Sequence, residues 1–241
     1  LAAEWEHGNA EAADLVRLAL AHDSILPTKY VHYGRRLRAY YDGNADSAAA
    51  EINAALAIDS SWSEGWMTLG EIRYHLSTDD EAGASDAFQR ARQADPEFAP
   101  PLFHLAEIAI RSGDTAGASR IVTTFAATDP DRAWLAELTL GLDCVRDGPD
   151  PAAWQRAAAA HPLEAVQAAK VLSSRGAHPA CAEAGFRAVV NAADAPLPAR
   201  WGAVLGLQML IALLGPKGAL VATALCLAAP IHGLFYFRAK I

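Results

Sequence analysis

The chain has 241 residues, of which 52% are hydrophobic and only 8% are aromatic. Alanine dominates the hydrophobic share, which favours helices, and the scarcity of segments rich in Val, Ile, Thr and Tyr argues against a β protein. A formal net charge of -8, from 28 acidic and 20 basic residues, disfavours contact with a phosphate backbone, so we expect no nucleic-acid binding.

The ends and the cysteines of the chain give two further expectations. The chain begins at Leu1 rather than Met, and Phe237–Ile241 stop without a helix cap, which predicts a fragment of a longer protein. The three cysteines are far apart and lack the spacing of a zinc set: Cys144, Cys181 and Cys226. We expect three separate buried thiols and therefore a reducing, cytoplasmic location.

Turn residues recur along the chain with a period near 35. One series consists of aspartates followed by Ser or Pro, spaced 36, 36 and 34 residues apart: Asp23, Asp59, Asp95 and Asp129. A second series consists of glycines that suit a left-handed helix end: Gly8, Gly43, Gly113 and Gly148. Two interleaved turn series with one period predict helix–turn–helix units.

Taken in chain order, the segments between these turns predict thirteen helices. They lie at 9–22, 28–42, 45–58, 62–77, 80–94, 98–112, 115–128, 131–146, 150–160, 163–175, 178–193, 197–214 and 217–228. The spacing is regular up to Asp131 and varies after it.

Two consecutive segments share one pattern of small and bulky residues. The first runs Trp66-x-x-Leu69-Gly70, Ala84-x-x-x-Phe88, Ala91 and Pro96, and the second runs Leu102-x-x-Leu105-Ala106, Ala118-x-x-x-Val122, Phe125 and Pro130. This pattern resembles the tetratricopeptide repeat signature. The resemblance implies an all-α, right-handed superhelical solenoid of antiparallel helix pairs, with 1–130 in good register and 131–241 as degenerate hairpins continuing it.

The resemblance also implies a function, because the first helix of each pair in that family lines a concave groove that binds peptides. A protein-interaction scaffold is therefore expected, with a protein or peptide as the partner. The groove residues implied are Tyr33, Leu37, Tyr40, Met67, Glu71, Tyr74, His75, Phe103, Glu107 and Arg111. Glu71 and Glu107 stand where relatives that clamp a terminal carboxylate carry Lys or Asn, so we expect no carboxylate-tail receptor.

A narrower resemblance concerns the parent protein. The phrases Leu69-Gly70-Glu71 with His75, and His104-Leu105-Ala106-Glu107, look like repeats in bacterial serine/threonine kinases and in large bacterial transcriptional activators. This resemblance implies that the segment is an arm of a larger bacterial signalling protein.

The sequence shows no set of residues that indicates an enzyme. It contains no H-E-x-x-H, no G-x-S-x-G, no phosphate-binding Gly-rich loop with Lys and no kinase catalytic signature. We therefore expect no catalytic residue, cofactor or metal ligand in this segment. Glu71 and His75 share a helix face, as do His104 and Glu107, which leaves a hydrolase or metal site as a minor alternative.

The C-terminal stretch from Trp201 to Phe237 carries one formal charge, on Lys217. A bilayer span needs about 20 consecutive apolar residues, and Gly215-Pro216-Lys217-Gly218 divides the stretch into shorter pieces. A buried repeat hairpin is favoured, and a membrane-associated hairpin is the alternative.

Overall fold

The computed structural model describes residues 9–77, 80–128 and 132–213, and the regular structure in these ranges is helical with no strand. Its α-helices are α1 (Asn9–Leu20), α2 (Thr28–Tyr41), α3 (Ala45–Ile58), α4 (Ser63–His75), α5 (Glu81–Ala94), α6 (Pro100–Ser112), α7 (Thr115–Ala126), α8 (Arg132–Asp147), α9 (Pro151–Ala160), α10 (Pro162–Ser173), α11 (Pro179–Asn191) and α12 (Leu197–Leu213). Short 3₁₀ turns cover Asp23–Ile25 and Ser174–Gly176. These bounds confirm twelve of the predicted helices to within two residues. The thirteenth, at 217–228, lies outside the described residues.

Four helices begin with the same capping arrangement, and they are the second helices of the predicted pairs. In each, a side-chain oxygen just before the helix accepts a hydrogen bond from a backbone N–H of the first turn. The pairs are Asn44 with Ser47 at 3.0 Å, Asp80 with Gly83 at 3.1 Å, Asp114 with Gly117 at 2.8 Å and Asp150 with Ala152 at 2.9 Å. Local sequence chemistry therefore sets where these helices start.

The glycines that precede three of these caps have the predicted left-handed backbone. Gly43, Gly113 and Gly148 have φ angles of 69°, 79° and 89°, which a residue with a Cβ adopts only at a cost. Gly8, the fourth member of the predicted series, lies outside the described residues. The turn between the two helices of a pair thus follows directly from the sequence.

The chain divides into two compact units, residues 1–108 and 109–241. In the first unit α2 packs on α3, α3 on α4, and α4 on α5. The α4–α5 contact is close because Phe88 of α5, which is fully buried, covers Gly70 of α4, where a Cβ would overlap the ring. This is the small-against-bulky pairing that the sequence pattern predicted.

In the second unit α11 packs against α9, α10 and α12, and α10 also packs against α8. Trp154 and Phe186 of this unit are almost completely buried. A Cβ on Gly185 would overlap Trp154, and one on Gly206 would overlap Phe186. The second unit therefore packs its aromatic rings on glycines, as the first unit does.

A disulfide joins Cys144 of α8 to Cys181 of α11, with Cα atoms 6.0 Å apart. The prediction of three separate thiols is wrong for this pair. The error arose because α8 and α11 are not consecutive in sequence, so no local cysteine spacing indicates that the two side chains meet. Cys226 lies outside the described residues.

In the described ranges, no helix combines the length and apolar character that crossing a membrane requires. The stretch 201–237, for which a buried hairpin and a membrane hairpin were both considered, is described only as far as residue 213, inside α12.

Candidate functional site

The ten predicted groove residues differ in accessibility. Four of them are buried: Tyr33, Leu37, Met67 and Glu107. Five are partly buried: Tyr40, Glu71, Tyr74, Phe103 and Arg111. The remaining residue, His75, is exposed.

The buried members belong to the hydrophobic core of the first unit. Tyr33 and Leu37 of α2 join a cluster with Ile52 of α3, and Tyr40 packs against the same cluster. Met67 of α4 joins a second cluster around Phe88. Arg111 lies in the second unit and is treated apart from the others.

The remaining residues of α4 and α6 converge on His104, which the groove prediction did not include. Nδ1 of His104 lies 2.6 Å from Oε2 of Glu107, one turn further along α6. Nε2 of the same ring lies 2.7 Å from Oε1 of Glu71 on α4. One imidazole thus stands between two carboxyl groups from two helices.

His75 extends this cluster toward solvent. Its Nε2 lies 3.1 Å from Oε2 of Glu71, four residues earlier on the same face of α4. The His75 side chain is 44% exposed, whereas those of Glu71 and His104 are 23% and 11% exposed. Glu71 therefore contacts both imidazoles, one buried and one accessible.

Aromatic rings enclose His104. Phe88 stacks on its imidazole with ring centres 5.1 Å apart and planes inclined by 19°. Tyr74 and Phe103 lie 4.8 Å and 5.3 Å from it at steeper angles. Phe88 occupies this position because Gly70 leaves it room, so the repeat packing itself fixes the surroundings of the histidine.

The charges of the cluster stabilise one another. Burial alone would raise the pKa of the Glu71 carboxyl, but its interactions with His104 and His75 outweigh burial and lower that pKa to about 2. Burial also opposes a charged His104, yet its interactions with Glu107 and Glu71 raise the pKa of the imidazole to about 10. With no cation bound, His104 is therefore an imidazolium at neutral pH.

One polar atom of this cluster has no hydrogen-bond partner. Oε1 of Glu71 is buried, and the short contact with Nε2 of His104 does not have the direction of a hydrogen bond. Glu71, His75 and His104 each offer one ligand atom, and these three atoms lie within 4.8 Å of one another. The arrangement can hold a proton, as described above, or a small cation.

The sequence contained a signal for this cluster. Glu71 and His75 are four residues apart, His104 and Glu107 are three apart, and the two pairs fall on successive first helices. What the spacing did not contain was the rotation of each helix, which decides whether the two faces meet.

Comparison with known proteins supports the repeat assignment. Residues 75–138 match the family model described as Tetratricopeptide repeat. No curated protein matches the chain. Together with the paired helices and the ring-on-glycine contact between α4 and α5, this match shows that residues 75–138 are similar to tetratricopeptide repeats.

Proposed function

We propose that this protein is an interaction scaffold that binds a segment of another protein on the first unit. The observation that carries the proposal is the accessible aromatic and polar surface on the first helices α4 and α6. We define the α4–α6 surface as Glu71, Tyr74 and His75 of α4 and Phe103 of α6. The family match supports this reading, because tetratricopeptide repeats typically bind protein partners.

The composition of the α4–α6 surface suits adaptable recognition. Aromatic rings supply contact area at a small cost in side-chain entropy, and the half-buried Glu71 and exposed His75 supply polar contacts. The ring centres of Tyr74 and His75 lie 4.9 Å apart, so a bound segment would contact the phenol ring and the imidazole together. An extended or helical peptide segment is the partner that such a surface fits.

Selection from a displayed peptide library would test this proposal with the full chain in a buffer that contains a metal chelator. The affinity of a selected peptide would then be compared across matched variants. Phe103→Ala removes a ring of the α4–α6 surface, and Gln89→Ala changes an exposed residue of the second helix α5. We expect Phe103→Ala to weaken binding at least about 10-fold and Gln89→Ala to leave it unchanged.

Thermal unfolding of both variants checks that the fold is retained. Peptides that bind with equal affinity to Phe103→Ala, or that lose binding in Gln89→Ala, would contradict the assignment to the α4–α6 surface. Charge reversal of Glu107 is a less informative test, because its side chain is only 8% exposed and pairs with His104, so the change would affect folding.

We further propose that the segment acts without catalysis of its own inside a larger bacterial signalling protein. The support is the resemblance of its repeats to those of bacterial kinases and transcriptional activators. The coding sequence on either side of these 241 residues tests it. A kinase catalytic loop or a DNA-binding helix-turn-helix there is expected, and further repeats with a native start codon would contradict it.

The proposed cytoplasmic location has lost its main support. It depended on separate thiols, and the disulfide between Cys144 and Cys181 instead favours an oxidising compartment. Alkylation of the protein in intact cells decides between a reducing and an oxidising compartment. Cys144 and Cys181 each gain the mass of one alkyl group when they are free thiols and gain none when they form the disulfide.

A further inference from the structure

We propose that Glu71, His75 and His104 form a binding site for one divalent transition-metal ion, with zinc as the type case, and that Glu107 orients His104 for this role. The proposal goes beyond peptide binding and departs from the expectation that the segment holds no metal. It starts from the donor set. Two imidazoles and one carboxylate are ligands that zinc takes in proteins, whereas magnesium and calcium prefer oxygen alone.

The separations between the ligand atoms fit such an ion. Zinc–ligand bonds of about 2.0–2.1 Å place neighbouring donor atoms of a tetrahedral site roughly 3.3 Å apart. Here Oε1 of Glu71 lies 2.7 Å from Nε2 of His104 and Oε2 of Glu71 lies 3.1 Å from Nε2 of His75. With one ligand atom from each residue, the three donors lie within 4.8 Å of one another. Small side-chain rotations on fixed helices would bring the three donors around one ion.

Glu107 supplies the second interaction that a metal-binding histidine needs. Its Oε2 lies 2.6 Å from Nδ1 of His104, and the carboxylate accepts the N–H of that nitrogen. This contact leaves Nε2 as the nitrogen on the side of Glu71 and His75. A carboxylate behind a histidine ligand fixes the ring and makes its free nitrogen a better donor.

The buried oxygen of Glu71 is the independent observation that points to a ligand. Oε1 contacts Nε2 of His104 at 2.7 Å but without the geometry of a hydrogen bond, although buried polar groups nearly always have one. A cation bound between Glu71 and the two imidazoles would satisfy this oxygen. On binding, the proton on Nε2 of His104 leaves to solvent while the N–H of Nδ1 continues to donate to Glu107.

Access to the site is through His75. Because this side chain is 44% exposed, an ion can reach the cluster from solvent without unfolding the first unit. Three protein ligands also leave one position of a tetrahedral ion open for water. The site therefore has the composition of an open zinc site rather than of a closed structural one.

The first unit contains a matched control for the proposal. His32 of α2 and Glu51 of α3 form a similar pair, with Nδ1 and Oε2 2.7 Å apart and side chains 25% and 29% exposed. This pair offers one imidazole and one carboxylate, which is one ligand fewer than Glu71, His75 and His104 offer together. A change at His32 should therefore leave metal binding unaffected.

Titration of the untagged full chain with zinc and with cobalt tests the proposal, with free thiols alkylated beforehand so that they cannot bind the metal. We expect one ion per chain and a cobalt spectrum typical of tetrahedral nitrogen and oxygen ligands. His75→Ala should weaken binding roughly 100-fold, because one of three ligands is lost. Glu107→Gln, which keeps the side-chain shape, should weaken it by about 10–100-fold, and His32→Ala should not change it.

Circular dichroism confirms the fold of each variant, and the exposed position of His75 makes loss of folding in His75→Ala unexpected. Equal zinc affinity in the unaltered chain and in His75→Ala would overturn the proposal, as would a loss of affinity in His32→Ala. The measurement uses no peptide, so its outcome is independent of the binding test for the α4–α6 surface.

Discussion

In the first unit Phe88 covers Gly70, and in the second unit Phe186 covers Gly206, with both rings fully buried. The two units otherwise differ in the interactions that join their helices. Phe88 stacks on His104, whose partners are Glu71 and Glu107, whereas the second unit contains the disulfide between α8 and α11. The comparison shows that units with the same ring-on-glycine contact can differ, one containing a polar cluster and the other a covalent link.

The largest expected effect tests the shared arrangement. Phe88→Ala and Phe186→Ala should each lower the free energy of unfolding by about 3–5 kcal/mol, since each removes a fully buried ring. Urea denaturation measures the loss. Phe88→Ala should in addition weaken zinc binding, because it removes the ring stacked on His104, and Phe186→Ala should not. Equal zinc affinities in the two variants would show that zinc binding does not depend on the aromatic ring stacked on His104.

The next effect concerns the covalent link of the second unit. Cys144 and Cys181 are separated by 37 residues. A disulfide that closes a loop of this length stabilises the folded protein by up to about 4 kcal/mol, because it reduces the conformational entropy of the unfolded chain. Addition of a reductant should lower the thermal midpoint by an amount that the double variant Cys144→Ser/Cys181→Ser reproduces. A reductant should cause no further change in that variant. If it lowers the midpoint equally there, the disulfide is not the cause.

A pH series should distinguish the polar cluster of the first unit in the metal-free protein. The pKa of Glu71 is lowered to about 2. Its carboxylate therefore stabilises the fold fully above pH 4.5, the ordinary pKa of Glu, and this stabilisation is lost as the pH falls toward 2. The pKa of His104 is raised to about 10. Its imidazolium therefore stabilises the fold fully below pH 6.5, the ordinary pKa of His, and this stabilisation is lost as the pH rises toward 10. Because Glu71 and His104 interact with each other, the acidic and the alkaline decline in stability share one charge pair and are not additive.

Urea denaturation at a series of pH values, with a chelator present, measures the loss of stability toward acidic and toward alkaline pH. The variant His104→Gln cannot titrate and should lack the alkaline decline between about pH 6.5 and pH 10. An alkaline decline of the same size in this variant would assign it to other groups.

The smallest expected effect should be the same in both units. Asn44→Ala in the first unit and Asp150→Ala in the second each remove an exposed helix cap, and each should lower the unfolding free energy by about 1 kcal/mol. Chemical denaturation measures both. A loss in one unit several times that in the other would indicate that the local turn chemistry is coupled to the different interiors.

Turn positions and helix bounds were predictable because their causes are local. Gly43 and Gly113 adopt the left-handed backbone that ends a helix, and Asp80 and Asp114 cap the helices that follow. A short stretch of sequence contains all of this information. The contact between Phe88 and Gly70 was also predictable, because the repeat pattern places a small residue opposite a bulky one.

The groove residues were harder to predict because a helix position does not by itself fix the direction of a side chain relative to its neighbours. Tyr33, Leu37 and Met67 lie on first helices of the repeats, as predicted, but their side chains are part of the core of the first unit. Whether they also contribute to partner binding stays a prediction. The exposed His75 and the half-buried Phe103 were chosen by the same rule and remain accessible.

By itself, the sequence determined that this protein is a series of helix pairs with a tetratricopeptide-like repeat, because turn chemistry and alternating residue size act over a few residues. Only the tertiary structure decided that Glu71, His75 and Glu107 gather around His104, and that Cys144 reaches Cys181. These contacts join helices that are distant in sequence. They depend on how each helix is rotated and which neighbour it meets, and packing of the whole unit sets both.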